Sequence, residues 1–476
     1  MKGNDKMNKT ELFKYIDSQR DNMVSTLSQL ISYPSYQCEP SDGAPFGKAV
    51  RDCLTHALGV CRDFGFITKD FDGYAGTASF TDDEPELGIL AHLDVVPEGT
   101  GWTSDPYTAR ISDGKLFGRG AIDDKGPAVA VMYAMKAIKD MGIPLKKNVR
   151  LILGTNEENG SADLEYYFTK ENPPKYTFTP DGNYPVINIE KGMIRGYFKA
   201  EAKPTVSEYP DSSERTVAEL HGGATINAVP ESAYAVVTGI DESEVVKCAE
   251  ELGLLDMFTV KSIGRCLRID VKGVSAHAST PESGKNAVTA LIAVLAKLKM
   301  DDDCHKKISS LAELFPYGET NGKSLGINLN DKESGELTCI LSVTDYEAGS
   351  FDLKCDIRFP ASFKVEDVLP KLTESMNKAG FELYNNMASQ AHRVSADSPF
   401  VQKLLSVYEE MTGEKGECIA IGGGTYVHEI EGGVAFGAEF IGEDNHMHSA
   451  DEFIDIDKLV LNAKMFALAI LRVCGE

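Results

Sequence analysis

Leu87-Gly88-Ile89-Leu90-Ala91-His92-Leu93-Asp94 is the stretch on which the fold turns. Five small or apolar residues in a row suit a strand buried on both faces. An imidazole and a carboxylate then stand at its carboxyl end. The same figure recurs twice downstream. Val149–Leu153 is followed by Thr155-Asn156-Glu157-Glu158, and Tyr176–Thr179 by Pro180-Asp181-Gly182. Between the first two, apolar spacing predicts a helix over Pro127–Met141, with Pro127 in its first turn and Gly142 as its stop. Further helices are predicted over Thr10–Leu30 and over Gly47–Phe64, the latter ended by Gly65. Helices alternating with short apolar strands predict an α/β layer: a mixed, mostly parallel sheet flanked by helices. Sites in such sheets lie beyond the carboxyl ends of the strands.

From about residue 191 to about residue 390 the texture changes. Strands are predicted at Met193–Ala200, Leu267–Lys272, Cys339–Thr344 and Phe351–Ile357, with amphipathic helices at Asn286–Leu298 and Val365–Ala379. This reads as an inserted α+β domain. The first pattern resumes with a strand over Gly433–Phe440 and a closing helix over Asp455–Val473. The expected organisation is a catalytic domain built from residues 1–190 and 391–476, with residues 191–390 inserted as a lid. At 476 residues the chain is too long for one ordinary core.

The formal charge of −25 would repel a phosphate backbone, so nucleic acid is not the expected partner. Met1–Thr10 is polar and charged, and no run approaches ~20 apolar residues, so neither a leader nor a membrane span is expected. The ten cysteines form no C-x-x-C pair, which suits the reduced thiols of a cytoplasmic protein and excludes a cysteine zinc site.

A single histidine after a strand is more often a satisfied core or surface residue. Three successive strand ends that carry His92, Asp94, Glu157, Glu158 and Asp181 are harder to explain structurally. Buried carboxylates repel one another unless a cation lies between them. Gly118-Arg119-Gly120-Ala121-Ile122-Asp123-Asp124-Lys125-Gly126 adds a paired Asp at the start of the Pro127 helix, where one Asp would serve as an ordinary cap. His446-Met447-His448 precedes the last helix, in a chain with nine histidines. Nitrogen and oxygen ligands without thiolates suit zinc, with manganese or cobalt as alternatives. The ligand set exceeds one tetrahedral ion, so a carboxylate bridging two ions ~3.5–4 Å apart is the economical arrangement. The residues themselves leave Asp124 open in place of Asp123, and His446 in place of His448.

HLDVVP at His92, GRGAIDDKG at Gly118, TNEENG at Thr155, PDG at Pro180, SAHAS at Ser275, GGGT at Gly422 and MHSADE at Met447 occur in this order. Together they resemble the dinuclear metallopeptidases and amidohydrolases that include aminoacylase, acetylornithine deacetylase, succinyl-diaminopimelate desuccinylase and related dipeptidases. GWTSDP at Gly101, TPDGNYP at Thr179 and the long insertion resemble the bacterial dipeptidase V branch. The resemblance implies Asp123 as the bridging ligand, His92 and Asp181 on one ion, and Glu158 and His448 on the other. It implies Glu157 as general base, and Asp94 orienting His92 through the other ring nitrogen.

In the insertion, the resemblance implies that His277 stabilises the oxyanion, assisted by Asn227. Arg358 would grip the substrate carboxylate, together with the backbone of Gly423, Gly424 and Thr425. A doubled lid within one chain implies a monomer acting on small peptides. The expected activity is metal-dependent dipeptide hydrolysis. The alternatives are deacylation of N-acyl amino acids with the same two-metal site and, in another class, a catalytically silent binding protein. The silent reading is disfavoured because Glu157, His277 and every candidate ligand remain.

Overall fold

The computed structural model describes residues 2–202, 214–300 and 302–475. These form two compact units. One comprises Met1–Asn188, Arg393–Ile419 and Gly424–Glu476; the other comprises Ile189–His392 and Ala420–Gly423.

The first unit is built on a mixed sheet. Its strands run in the order Ile67–Phe71, Ala75–Ser79, Asn148–Gly154, Pro85–His92, Tyr176–Thr179, Val434–Ala435 and Val186–Glu190. The centre is parallel: Pro85–His92 pairs in parallel with both Asn148–Gly154 and Tyr176–Thr179, and the latter with Val434–Ala435. The Ala75–Ser79 side is antiparallel. Parallel neighbours fix the site, because they put the carboxyl ends of three strands side by side. Helices Lys48–Asp63, Lys125–Asp140, Pro399–Thr412 and Ile456–Cys474 cover the sheet around one continuous apolar core. Lys125–Asp140 is buried over most of its surface, which accounts for its run of Ala, Val and Met. Its first turn passes so close to the preceding loop that a Cβ on Gly126 would lie 2.0 Å from the carbonyl oxygen of Ala121, and only glycine fits there.

The second unit has an antiparallel sheet in the order Phe258–Ile263, Cys266–Lys272, Ser232–Thr238, Thr216–Gly222, Thr338–Glu347, Ser350–Phe359, Gly192–Glu201 and Glu382–Ser389. Alternate residues of Gly192–Glu201 are buried, as a sheet with one covered face requires. Helices Glu242–Glu251, Ala287–Lys297, Asp303–Leu314 and Val365–Lys378 share its core.

Two sequence expectations differ in detail. The helix expected over Thr10–Leu30 is interrupted at Gln19, between helices Lys2–Ser18 and Arg20–Ile31. There the Ser18 hydroxyl donates to the Tyr15 carbonyl and competes with the helical ladder. The strand expected over Gly433–Phe440 is broken: it pairs at Val434–Ala435 and again through an isolated bridge at Glu439, and between them Gly437 adopts φ +81° against the ring of Tyr184. None of the ten cysteines is paired, and no described helix is long and apolar enough to cross a membrane.

Candidate metal centre

The side chains at the strand ends of the first unit converge. His92 closes its strand fully buried, with Nε2 3.0 Å from Asp123 Oδ1 and 3.6 Å from Asp181 Oδ2. The other oxygen of Asp123, Oδ2, lies 2.7 Å from His448 Nε2, which is 3.3 Å from Glu158 Oε1. Asp123 therefore belongs to two triads, His92–Asp123–Asp181 and Asp123–Glu158–His448, each with its ligand atoms within 4.8 Å of one another. One carboxylate offering an oxygen to each triad is the geometry of a bridge.

The neighbouring alternatives separate from the cluster. Asp124 turns its Oδ2 to the His92 amide at 3.0 Å, so it fixes the backbone of a candidate ligand. His446 is exposed and packs edge-on to Phe453.

The donor set fits cations. His92 Nε2 and Glu158 Oε1 are buried without a hydrogen-bond partner. Among the described residues, no lysine or arginine pairs with Asp123, Glu157, Glu158 or Asp181. The nearby buried Lys125 donates instead to the carbonyls of Leu30 and Tyr33, at 3.0 and 2.9 Å. With no cation between them, Glu157, Glu158 and Asp181 are pushed toward their protonated forms, whereas, against burial, His448 and His92 hold the Asp123 carboxyl well below the usual range. Burial and the charges of Asp181, Glu158 and Asp123 push the Glu157 carboxyl well above the usual range, despite the opposing influence of His92. Burial and Asp123 push Glu158 up to about 7. Burial opposes protonation of His92, but the carboxylates of Asp123, Asp181 and Asp94 beside the ring outweigh it and raise its pKa well above the ordinary value.

Asp94 meets the other ring nitrogen of His92 and has a further task. His92 Nδ1 lies 3.0 Å from the backbone carbonyl of Asp94 and 3.5 Å from its carboxylate. That carboxylate also accepts the amides of Glu157 (3.2 Å) and Glu158 (3.1 Å), and so holds the turn bearing both glutamates. Sequence reading missed Asp163, which supports the same turn from below. Its Oδ2 accepts the amides of Thr155 and Asn156 at 2.6 and 3.0 Å and the hydroxyl of Tyr426. No local spacing announces it, because the bonds form only once the strand end folds back on helix Ala162–Tyr167.

Within the second unit, Asn227 and His277 lie on adjoining segments joined by the Ala228–His277 bridge. His277 is exposed, with Nδ1 2.7 Å from the Ser279 hydroxyl. Arg358 is buried and its Nε–Nη2 edge is taken bidentately by Asp356, at 2.6 and 3.0 Å, while Nη1 donates to the Gly422 carbonyl at 3.1 Å. Only the outer edge of this guanidinium is left for a ligand. Gly423 and Gly424 fall on either side of the boundary between the units, and Thr425 caps the short helix Tyr426–Glu429 by accepting the Val427 amide.

The comparisons with known proteins agree on one family. Residues 88–472 match the model of peptidase family M20/M25/M40. The chain is 38% identical over 438 residues to the putative dipeptidase YtjP of Bacillus subtilis, covering 90% of this chain and 92% of the relative. It is 34% identical to the Beta-Ala-Xaa dipeptidase of Lactobacillus delbrueckii subsp. lactis, over 97% of both chains. Human carnosine dipeptidase 1 shares the fold with a TM-score of 0.57 at 18% identity, covering 98% of this chain and 99% of that one. A double triad around one carboxylate, set in a chain this similar to peptidases along its length, makes this protein a metal-dependent peptidase of family M20/M25/M40.

Proposed function

We propose that this chain is a dipeptidase that uses two divalent ions, zinc in the first instance, with manganese or cobalt as alternatives. The observation that supports it most is the carboxylate of Asp123 facing His92 and Asp181 through one oxygen and His448 and Glu158 on the side of the other. Two ions held by these five residues would supply Lewis-acid activation of water and of the scissile carbonyl. Glu157, on the turn fixed by Asp94, acts as general base: its carboxylate takes a proton from the attacking water and later passes it to the leaving amine. His277 donates to the oxyanion, assisted by Asn227. Arg358, Gly423, Gly424 and Thr425 receive the substrate's terminal carboxylate.

In this reading residues 1–190 and 391–476 are the catalytic domain, and 191–390 the lid of a cytoplasmic monomer. The names of the relatives, dipeptidase in both and Beta-Ala-Xaa in one, support dipeptides over N-acyl amino acids. The test is a substrate panel with metal-reconstituted protein and a chelated control: free α- and β-alanyl dipeptides, a C-terminally amidated dipeptide, a tripeptide and N-acyl amino acids. Metal-dependent cleavage of free dipeptides alone is expected. Cleavage confined to N-acyl amino acids would make the protein a deacylase, and no cleavage with two ions bound would leave the silent reading.

A further inference from the structure

Outside the candidate ligands, the most deeply buried ion pair of the first unit is Arg119–Glu452, with each side chain 1% exposed and Nη1 2.6 Å from Oε2. We propose that this is a positioning pair: it fixes Asp123 relative to His448, and so sets the affinity for the ion between Asp123, Glu158 and His448. The inference rests on the two-ion reading above.

The register explains how Glu452 reaches the site. Strand Phe453–Asp455 pairs antiparallel with Lys115–Phe117, with Phe453 opposite Phe117. One step on, the Gly118 amide donates to the Glu452 carbonyl at 2.9 Å. Glu452 thus stands opposite the start of the loop that carries Asp123, and its side chain turns onto that loop. Oε1 accepts the amides of Ile122 (3.0 Å) and Asp123 (3.3 Å). On the other side, Arg119 Nη2 donates to the carbonyls of Glu98 (3.2 Å) and Pro97 (3.4 Å), in the loop that follows His92 and Asp94.

His448 lies four residues before Glu452, in a segment closed by the bonds from Phe453 to the Asn445 carbonyl and from Ser449 to the His446 carbonyl. One carboxylate therefore grips the backbone of the shared ligand while belonging to the segment that bears His448. The other triad depends on it less. His92 is paired in the parallel ladder opposite Gly154, and Asp181 follows two residues after strand Tyr176–Thr179, so neither is held by Glu452. Loss of the pair should fall unequally on the two ions.

The competing reading is a core ion pair with no role toward the ions. Such a pair is replaceable by apolar residues of similar size with little loss of fold, whereas an acceptor for two amides is not. Two variants separate these readings. In Glu452→Gln, the single amide oxygen can accept from the loop or from Arg119 but not both, and its NH₂ faces a donor on the other side. In the double variant Arg119→Met with Glu452→Met, no charge is left orphaned.

Each metal-free protein is titrated with Co²⁺, following visible absorption and bound ions per chain, alongside a thermal melt and steady-state kinetics. Wild type should bind two ions. Glu452→Gln should bind the first as wild type does and the second about 10–100-fold more weakly, as for loss of other groups that orient ligands. At limiting Co²⁺ its kcat should fall with KM little changed. The double variant should melt as a folded protein and still bind the second ion weakly. Wild-type affinity for both ions in Glu452→Gln, recovery of the second ion in the double variant, or failure of the double variant to fold would each overturn the positioning role. Wild type binding fewer than two ions is a separate result, which removes the two-ion reading and the pair's role with it.

Discussion

In the first unit, His92, Asp123 and Asp181 meet with side-chain exposures of 0, 6 and 14%, and the amides of His92 and Asp123 are held by the buried carboxylates of Asp124 and Glu452. In the second unit, His277 is exposed and its Nδ1 rests on the hydroxyl of Ser279. The contrast follows from what each region has to do. Clustered carboxylates keep fixed separations only if their backbone is immobilised, and Asp94, Asp163 and Glu452 do this through amide hydrogen bonds. Under the proposed role of His277, a donor that meets a substrate oxygen only during reaction needs reach more than burial.

The sharpest attack on that contrast is Glu157→Gln. It keeps the shape of the turn and removes the base, so kcat should fall about 10⁴-fold, the upper end for a general acid–base group. Metal content, measured by elemental analysis, should stay at the wild-type level. Metal lost along with activity would move Glu157 into the ligand set. His277→Ala probes the other unit and should lower kcat about 10²–10³-fold, the size of one missing oxyanion donor. Its melting temperature should match wild type, because the ring is exposed. Near-normal turnover would remove His277 from the reaction.

The smallest effect is read through pH. Glu158, pushed up to about 7 by burial and Asp123, keeps a proton that the unfolded chain has already lost above about pH 4.3. The metal-free fold therefore loses stability from this group as pH rises from about 4.3 to about 7. His448 adds to the trend: against burial, its bonds to Asp123 and Glu158 carry it up to about 11. Its contribution is full below about pH 6.5 and is lost as pH rises above that. Ion binding needs the deprotonated forms, so affinity should rise over the same interval. Melts of chelated and zinc-loaded protein between about pH 5 and pH 8 should show the first declining and the gap widening. A gap independent of pH would mean that protons and ions do not compete for these groups.

Much of the first unit was legible in the sequence because parallel strands are short, apolar and end abruptly. Val149–Leu153 and Tyr176–Thr179 announce both the strand and the polar residues after it. What spacing could not give was direction. Asp94 lies beside the His92 ring, but that its carboxylate also faces the amides of Glu157 and Glu158 is decided only by the fold. The partners of Arg358 and Asp123 were hidden for different reasons. Asp356 lies two residues from Arg358 on the same strand face, whereas Glu452 is separated from Asp123 by most of the chain. In the second unit, Thr216–Gly222 escaped because Glu219 and His221 dilute its apolar alternation.

Gly126 carries a consequence for reading variants. It bears no side chain, and a Cβ there would lie 2.0 Å from the carbonyl oxygen of Ala121, two residues before Asp123. An alanine there must displace the start of the helix and the aspartates just before it. A screen of natural or random variants would score position 126 as inactivating and invite its assignment to the reaction. The effect would instead be one of lost space, felt by the aspartates through the main chain.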